Sequence, residues 1–122
     1  MKLVDTDVFI DFFRGVEKSI EFIGANKNSI VFCAVTEAEL LSGKECNDAK
    51  QREVVLHFLS QFEKIPVDNS NVQIAGYFRR KYGLELADAI IASTAISTDS
   101  ELVTRNVKDF QKVKELKVQK PY

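Results

Sequence analysis

The sequence predicts an α/β fold: a central parallel sheet of four to five strands, covered on both faces by helices. Three observations carry this. Short apolar, β-branched runs alternate with longer stretches whose apolar residues recur at helical spacing. The clearest of the short runs, Ser29 to Val35, is apolar almost throughout, as in a strand buried on both sides. The chain has 122 residues, 45% hydrophobic and 29% charged, which suits one folded domain, 1–122, with a core of its own.

The elements follow in order. Lys2-Leu3-Val4 is a short strand ending at Asp5. Val8, Phe9, Phe12 and Phe13 give one helical apolar face, which Gly15 closes. Ile20, Phe22 and Ile23 form another before Asn26. After the Ser29–Val35 strand, Ala38, Leu40 and Leu41 fit a helix between Thr36 and Lys44. Val54, Val55, Phe58, Leu59 and Phe62 make a strong helical stripe. Lys64-Ile65-Pro66-Val67 is a third strand. Asp68-Asn69-Ser70-Asn71 is a capping cluster ahead of Val72, Ala75 and Phe78. Ala87, Ile90, Ile91, Thr94 and Ala95 mark a buried helix after Gly83. Glu101 to Thr104 is a fourth strand, Asn106 to Lys114 a short helix, and Leu116 to Gln119 a lysine-rich edge strand.

Composition excludes several functions. Seventeen basic against eighteen acidic residues leave a net charge of -1, so a chain-wide cationic grip on nucleic acid is ruled out and any basic surface is local. Two cysteines, Cys33 and Cys46, and one histidine, His57, are too few for a Cys/His zinc site. His57 lies inside a helical apolar stripe and reads as structural or surface. The uncharged run Ala89 to Thr98 is about half a membrane helix, and Asp5 interrupts the chain before a signal-like segment can form. The expectation is a soluble, cytoplasmic protein.

In such sheets, polar sites collect beyond the carboxyl ends of the strands. Asp5 follows the first strand, with Thr6 and Asp7 behind it. Alternatively Asp7 caps the next helix and Asp5 is a turn residue. Glu39 lies one turn beyond the second strand, although Thr36-x-x-Glu39 also has the form of a capping box. Asp88 interrupts the apolar run Leu86 to Ala95, where an ionised carboxylate is costly unless paired or bound to a cation. The other reading is a first-turn acid favoured by the helix dipole. Thr104, Asn106 and Asp109 cluster after the fourth strand; Thr104 is either an N-cap or a holder of a ligating carboxylate or water.

Converging carboxylates raise one another's pKa. A hard dication relieves this, and an all-oxygen donor set points to magnesium or manganese. Such an ion turns water into a nucleophile and neutralises charge on a phosphoryl transition state. Phosphodiester hydrolysis is the expected chemistry. Local basic residues fit it: Arg79-Arg80-Lys81, and six basic against two acidic residues from Leu102 to Tyr122, including Arg105 and Lys108. These could hold a nucleic-acid backbone; a merely solvated face is the alternative.

The chain resembles the PIN-domain family, and within it the VapC-type toxin ribonucleases of type II toxin–antitoxin pairs. The resemblance is carried by Leu3-Val4-Asp5-Thr6-Asp7-Val8-Phe9-Ile10-Asp11 with Phe13-Arg14-Gly15, by Ala38-Glu39-Leu40-Leu41-Ser42-Gly43, by Ala87-Asp88-Ala89-Ile90-Ile91-Ala92, and by Leu102-Val103-Thr104-Arg105-Asn106-x-x-Asp109-Phe110. It implies a three-layer α/β/α sandwich and a metal-binding, catalytic triad of Asp5, Glu39 and Asp88. The family's fourth acid falls near Asn106 or Asp109; Asn106 is an amide where many relatives have aspartate, and Asp7 stands where many carry Ser or Asn. The resemblance further implies RNA cleavage with Mg2+ or Mn2+, homodimerisation, and silencing by a cognate antitoxin.

Two rivals compete. Asp5-Thr6-Asp7-Val8 fits the nucleophile motif of haloacid-dehalogenase-like phosphatases, with Asp5 as nucleophile. That chemistry needs a later lysine and a late acidic pair, yet only 18 residues follow Thr104, and Glu39 and Asp88 stay unexplained. The other rival is a catalytically inactive PIN module that binds RNA or a partner. The intact Asp5, Glu39 and Asp88 argue against it.

Overall fold

The computed structural model describes residues 1–122. Five strands form one sheet: β1 (Lys2–Val4), β2 (Ile30–Cys33), β3 (Glu63–Ile65), β4 (Glu101–Val103) and β5 (Val118–Gln119). Their order is β3-β2-β1-β4-β5, and every neighbouring pair is parallel. The helices are α1 (Thr6–Phe13), α2 (Glu17–Ala25), α3 (Ala34–Leu41), α4 (Ala49–Leu59), α5 (Asn69–Tyr82), α6 (Leu86–Ser97) and α7 (Val107–Phe110). The expected parallel α/β architecture is borne out.

Alternation along each strand builds the three layers, because successive side chains point to opposite faces. Leu3, Val31, Cys33 and Leu102 point to one side, into a core with Ala75 and Phe78 of α5, Ala89, Ile91, Ala92 and Ala95 of α6, and Phe110. Val4, Ile30, Phe32 and Val103 point to the other, into a core with Val8 and Phe9 of α1, Phe22 and Ile23 of α2, and Val55 and Leu59 of α4. Phe9 is the hub of this second core. Its ring centroid lies 6.1 Å from Phe32, 5.9 Å from Phe58 and 6.1 Å from Phe62, while Phe12 stacks on Phe58 at 4.4 Å. Truncating such a fully buried aromatic typically costs about 3–5 kcal/mol, so α1 is firmly locked to α4 and the sheet.

Local chemistry sets the helix ends. Asp68 caps α5 by accepting the Asn71 N–H at 2.9 Å, which confirms the capping cluster. Gly83 ends α5 in the left-handed region at φ +70°, where a Cβ is disfavoured. The Arg79 guanidinium secures the same turn by donating to the Leu84 carbonyl at 3.2 Å.

Several boundaries differ from the sequence expectation. The second strand stops at Cys33, because Ala34, Val35 and Thr36 already belong to α3. Thr36 is therefore no N-cap, and the Thr36–Glu39 capping box does not form; Cys33 occupies the cap position without a side-chain bond. Asp7 does not cap α1; Asp5 does, through the Thr6 N–H at 2.8 Å. The stripe from Val54 outruns its helix, since α4 ends at Leu59 and Phe62 packs from the following turn. The third strand ends at Ile65, before Pro66, which has no N–H for a ladder. The last helix is one turn, Val107–Phe110. Both cysteines are free and buried, and His57 is exposed on α4. No helix is long and apolar enough to cross a membrane.

Candidate active site

The sheet order places β1 at the centre, with the chain running outward to β2 and β3 on one side and then crossing to β4 and β5 on the other. The connections reverse between β1 and β4, which defines the crevice where open parallel sheets bind ligands. Asp5 leaves β1 and Thr104 leaves β4 at that point, and they touch. The Thr104 hydroxyl donates to Asp5 Oδ2 at 2.7 Å, and the Asp5 N–H donates to the Val103 carbonyl at 2.8 Å. Thr104 also accepts the Asn106 N–H at 2.9 Å, fixing the start of α7.

Asp5 is 5% exposed, with Oδ1 held by the Thr6 N–H and Oδ2 by Thr104. Burial, followed by the Asp7 charge, pushes its pKa up to about 7; Asp88 adds to the rise and the Thr104 hydroxyl opposes it. The Asp88 carboxyl, in the first turn of α6, is also raised, to about 6. Burial is the main cause, and the charges of Glu39, Asp109, Asp7 and Glu85 follow. A first-turn position that favours a carboxylate is thus outweighed by desolvation and a gathering of like charges.

Glu39 is joined to this group through Thr6. The Thr6 hydroxyl donates to Glu39 Oε1 at 2.6 Å and lies 3.0 Å from the Thr36 hydroxyl. The sequence reading paired Thr36 with Glu39 inside one helix; the structure instead uses both to dock α3 on the start of α1. Asp109 accepts from the Asn106 side-chain amide at 3.1 Å and pairs with Lys112 at 3.8 Å. Asn106 therefore orients Asp109.

Asp7 is satisfied on one oxygen only. Its Oδ2 accepts the Arg105 N–H at 3.3 Å and faces the Arg105 guanidinium at 3.8 Å. Its Oδ1 is buried with no hydrogen-bond partner. Burial raises its pKa and Arg105 lowers it.

The basic residues expected along an RNA path separate into two sets. Arg105 is drawn in among the acids, pairing with Asp7 and, at 3.2 Å, with Asp11. Arg79, Arg80 and Lys81 end α5, where cations suit the helix dipole. Arg80 and Lys81 lie over the Tyr77 ring at 5.6 and 5.4 Å. Lys108 is exposed. Sequence reasoning missed Asp11 and Tyr122: Asp11 is 5% exposed and accepts the Tyr122 phenol at 2.5 Å. A contact spanning 111 residues leaves no local signal, although an aspartate on the apolar run Val8 to Phe13 was a hint.

A hard dication fits this donor set. The donors are all oxygens, two of the carboxyls have pKa values raised by burial and then by like charges, and Asp7 Oδ1 is a buried acceptor without a partner. As the side chains stand, no three of them are arranged to grip one ion. Magnesium does not require that, because it keeps several waters and takes one or two carboxylates directly; the other acids can act through water.

Comparison with known proteins gives the family. The model of the PIN domain matches residues 2–116, and the chain belongs to the PIN-domain family. Within it, the chain is similar to the ribonuclease VapC10 of Mycobacterium tuberculosis, with 34% identity over 96% of this chain and 91% of that protein. It is also similar to the ribonuclease VapC1 of Methanocaldococcus jannaschii, with 33% identity over 93% and 81%. Among solved structures, a chain of a toxin–antitoxin complex from Klebsiella pneumoniae aligns with a TM-score of 0.86 and 30% identity, covering 100% of this chain and 98% of that one. A DNA-bound VapBC from Salmonella typhimurium shares the fold, with a TM-score of 0.83 at 22% identity.

Proposed function

We propose that this protein is a metal-dependent endoribonuclease, the VapC-like toxin of a toxin–antitoxin pair, hydrolysing RNA phosphodiester bonds by water attack and leaving a 5'-phosphate. The observation that carries the reading is the set of acids gathered at the β1/β4 crevice, with Asp5 and Asp88 both held well above the usual carboxylate range, first by burial and then by neighbouring carboxylates. Asp5, Glu39 and Asp88 would hold Mg2+ or Mn2+, with Asp109 as a further ligand. When bound, the dication supplies an activated water and neutralises charge on the phosphoryl oxygens.

The chain's own residues prepare the site. Thr6 and Thr104 fix the orientations of Glu39 and Asp5 with hydroxyl donors at 2.6 and 2.7 Å. Asn106 orients Asp109. Rigid hydrogen-bonded carboxylates need little reorganisation during reaction. Arg79, Arg80, Lys81, Arg105 and Lys108 would hold the RNA backbone outside the acidic centre. The partners on this reading are RNA, a cognate antitoxin that closes the site, and a second copy of the chain, all in the cytoplasm.

The test is cleavage of a single-stranded RNA by the purified protein with Mg2+ or Mn2+, with and without a chelator, and with Asp5→Asn as control. Cleavage that needs the dication and disappears in a still-folded Asp5→Asn protein is expected. Undiminished cleavage in chelator or in the variant overturns the reading.

A further inference from the structure

Asp11 is buried, ionisable and has no part in the proposed chemistry. It sits on α1, six residues beyond the N-cap Asp5. Two groups meet its Oδ2: the Arg105 guanidinium at 3.2 Å and the Tyr122 phenol at 2.5 Å. Arg105 directly follows Thr104, the residue bonded to Asp5. Its backbone N–H and its Nε both face Asp7 Oδ2, at 3.3 and 3.8 Å. One guanidinium is therefore tied on two sides by acids of α1, and the second of these is itself tied to the segment beyond β5.

The two partners differ sharply in exposure. The Asp11 side chain is 7% exposed and that of Arg105 is 52% exposed. Half of the Arg105 side chain is thus left in water, open to a further anionic partner. Arginine has five donors in a planar fork that matches phosphate. Asp7 and Asp11 engage its Nε and one terminal nitrogen, and they fix the plane of the fork.

We infer that Asp11 and Tyr122 are positioning residues that hold the Arg105 guanidinium at the mouth of the site, where its exposed side takes a phosphate of the RNA backbone. This rests on the ribonuclease reading and adds to it a specific substrate contact and the means of its alignment. Tyr122 acts twice removed: its phenol fixes the Asp11 carboxylate, and Asp11 fixes the arginine. A rotating arginine would still attract RNA by charge, but it would lose the pre-set angle that lowers the entropy of binding.

The test is a titration of single-stranded RNA at several salt concentrations in chelator, paired with steady-state cleavage in Mg2+, for the wild type, Arg105→Gln, Arg105→Lys and Tyr122→Phe. Loss of a single phosphate contact in Arg105→Gln should reduce the salt slope by about 0.7. Arg105→Lys should retain the slope while binding more weakly. Tyr122→Phe keeps every charge, so its slope should be unchanged while KM rises about three- to tenfold and kcat stays within about twofold. Circular dichroism melting shows whether each variant is folded, and Tyr122→Phe, which removes one oxygen, carries the positioning claim if Arg105→Gln is not. An unchanged slope in folded Arg105→Gln, or an unchanged KM in Tyr122→Phe, overturns the inference and leaves the ribonuclease reading standing. Failure of the wild type to bind or cleave any RNA overturns both.

Discussion

Replacing Asp88 by Asn tests the electrostatics of the site without touching its hydrogen bonds. Asp88 makes no side-chain hydrogen bond to the protein, and its carboxyl is raised from the usual 3.8 to about 6 by burial and by Glu39, Asp109, Asp7 and Glu85. Between these two pH values the folded protein binds more protons than the unfolded chain, so stability falls as pH rises through the window, and the penalty is complete above pH 6. Two units at 1.36 kcal/mol each set a ceiling of about 3 kcal/mol. The group is partly solvated, which reduces the expected effect to about 1 kcal/mol. In chelator at pH 8, Asp88→Asn should therefore be more stable than wild type by about 1 kcal/mol, a rise in Tm of about 3–6 °C. At pH 3.5 the two should melt together. Addition of Mg2+ should reverse the order, because wild type gains stability from a ligand that binds only the folded state. Thermal melts at both pH values, with and without the metal, provide the measurement. A variant less stable than wild type at pH 8 in chelator, or equal metal stabilisation of both, refutes the reasoning.

Glu39→Gln should keep the Thr6 hydroxyl satisfied through its amide oxygen, so that stability changes by less than about 0.5 kcal/mol while the Mg2+ concentration needed for half-maximal cleavage rises; urea titration and a metal-dependence curve check the two halves. Thr104→Val removes the donor to Asp5 Oδ2 and the acceptor of the Asn106 N–H, and should destabilise the protein by about 1–3 kcal/mol. Losing that donor also pushes the Asp5 carboxyl further up, so the acid limb of the cleavage pH profile should move to higher pH; an unmoved limb would detach Thr104 from the ionisation of Asp5.

The sheet is legible because its central strands are short apolar runs such as Leu3-Val4 and Ile30 to Cys33, buried on both faces, and helical stripes separate them. Asp5 and Asp88 were legible for a related reason: each breaks an apolar run at a strand or helix end. The caps were read less well. Thr36 followed by Glu39 has the spacing of a capping box, but Thr6, thirty residues earlier in the chain, bonds Glu39 and lies beside Thr36, so a tertiary contact displaced a local one. Val35 belongs to a β-branched run that predicts strand, yet it lies in α3, which starts at Ala34 and carries Thr36 and Glu39 to Thr6 of α1. Arg105 reads in the sequence as a candidate RNA-backbone contact, but nothing nearby in sequence shows that Asp7 and Asp11 come within its reach.

The central position of β1 has a consequence for how the protein fails under stress. Its main chain is bridged on both flanks by parallel neighbours, and the amide of Asp5 extends that lattice by one more rung onto Val103. Amides placed like this open to deuterium only when the whole domain comes apart. Heat or denaturant should therefore leave the first acid of the crevice in place until the cooperative transition itself, so that inactivation and global melting run along one curve.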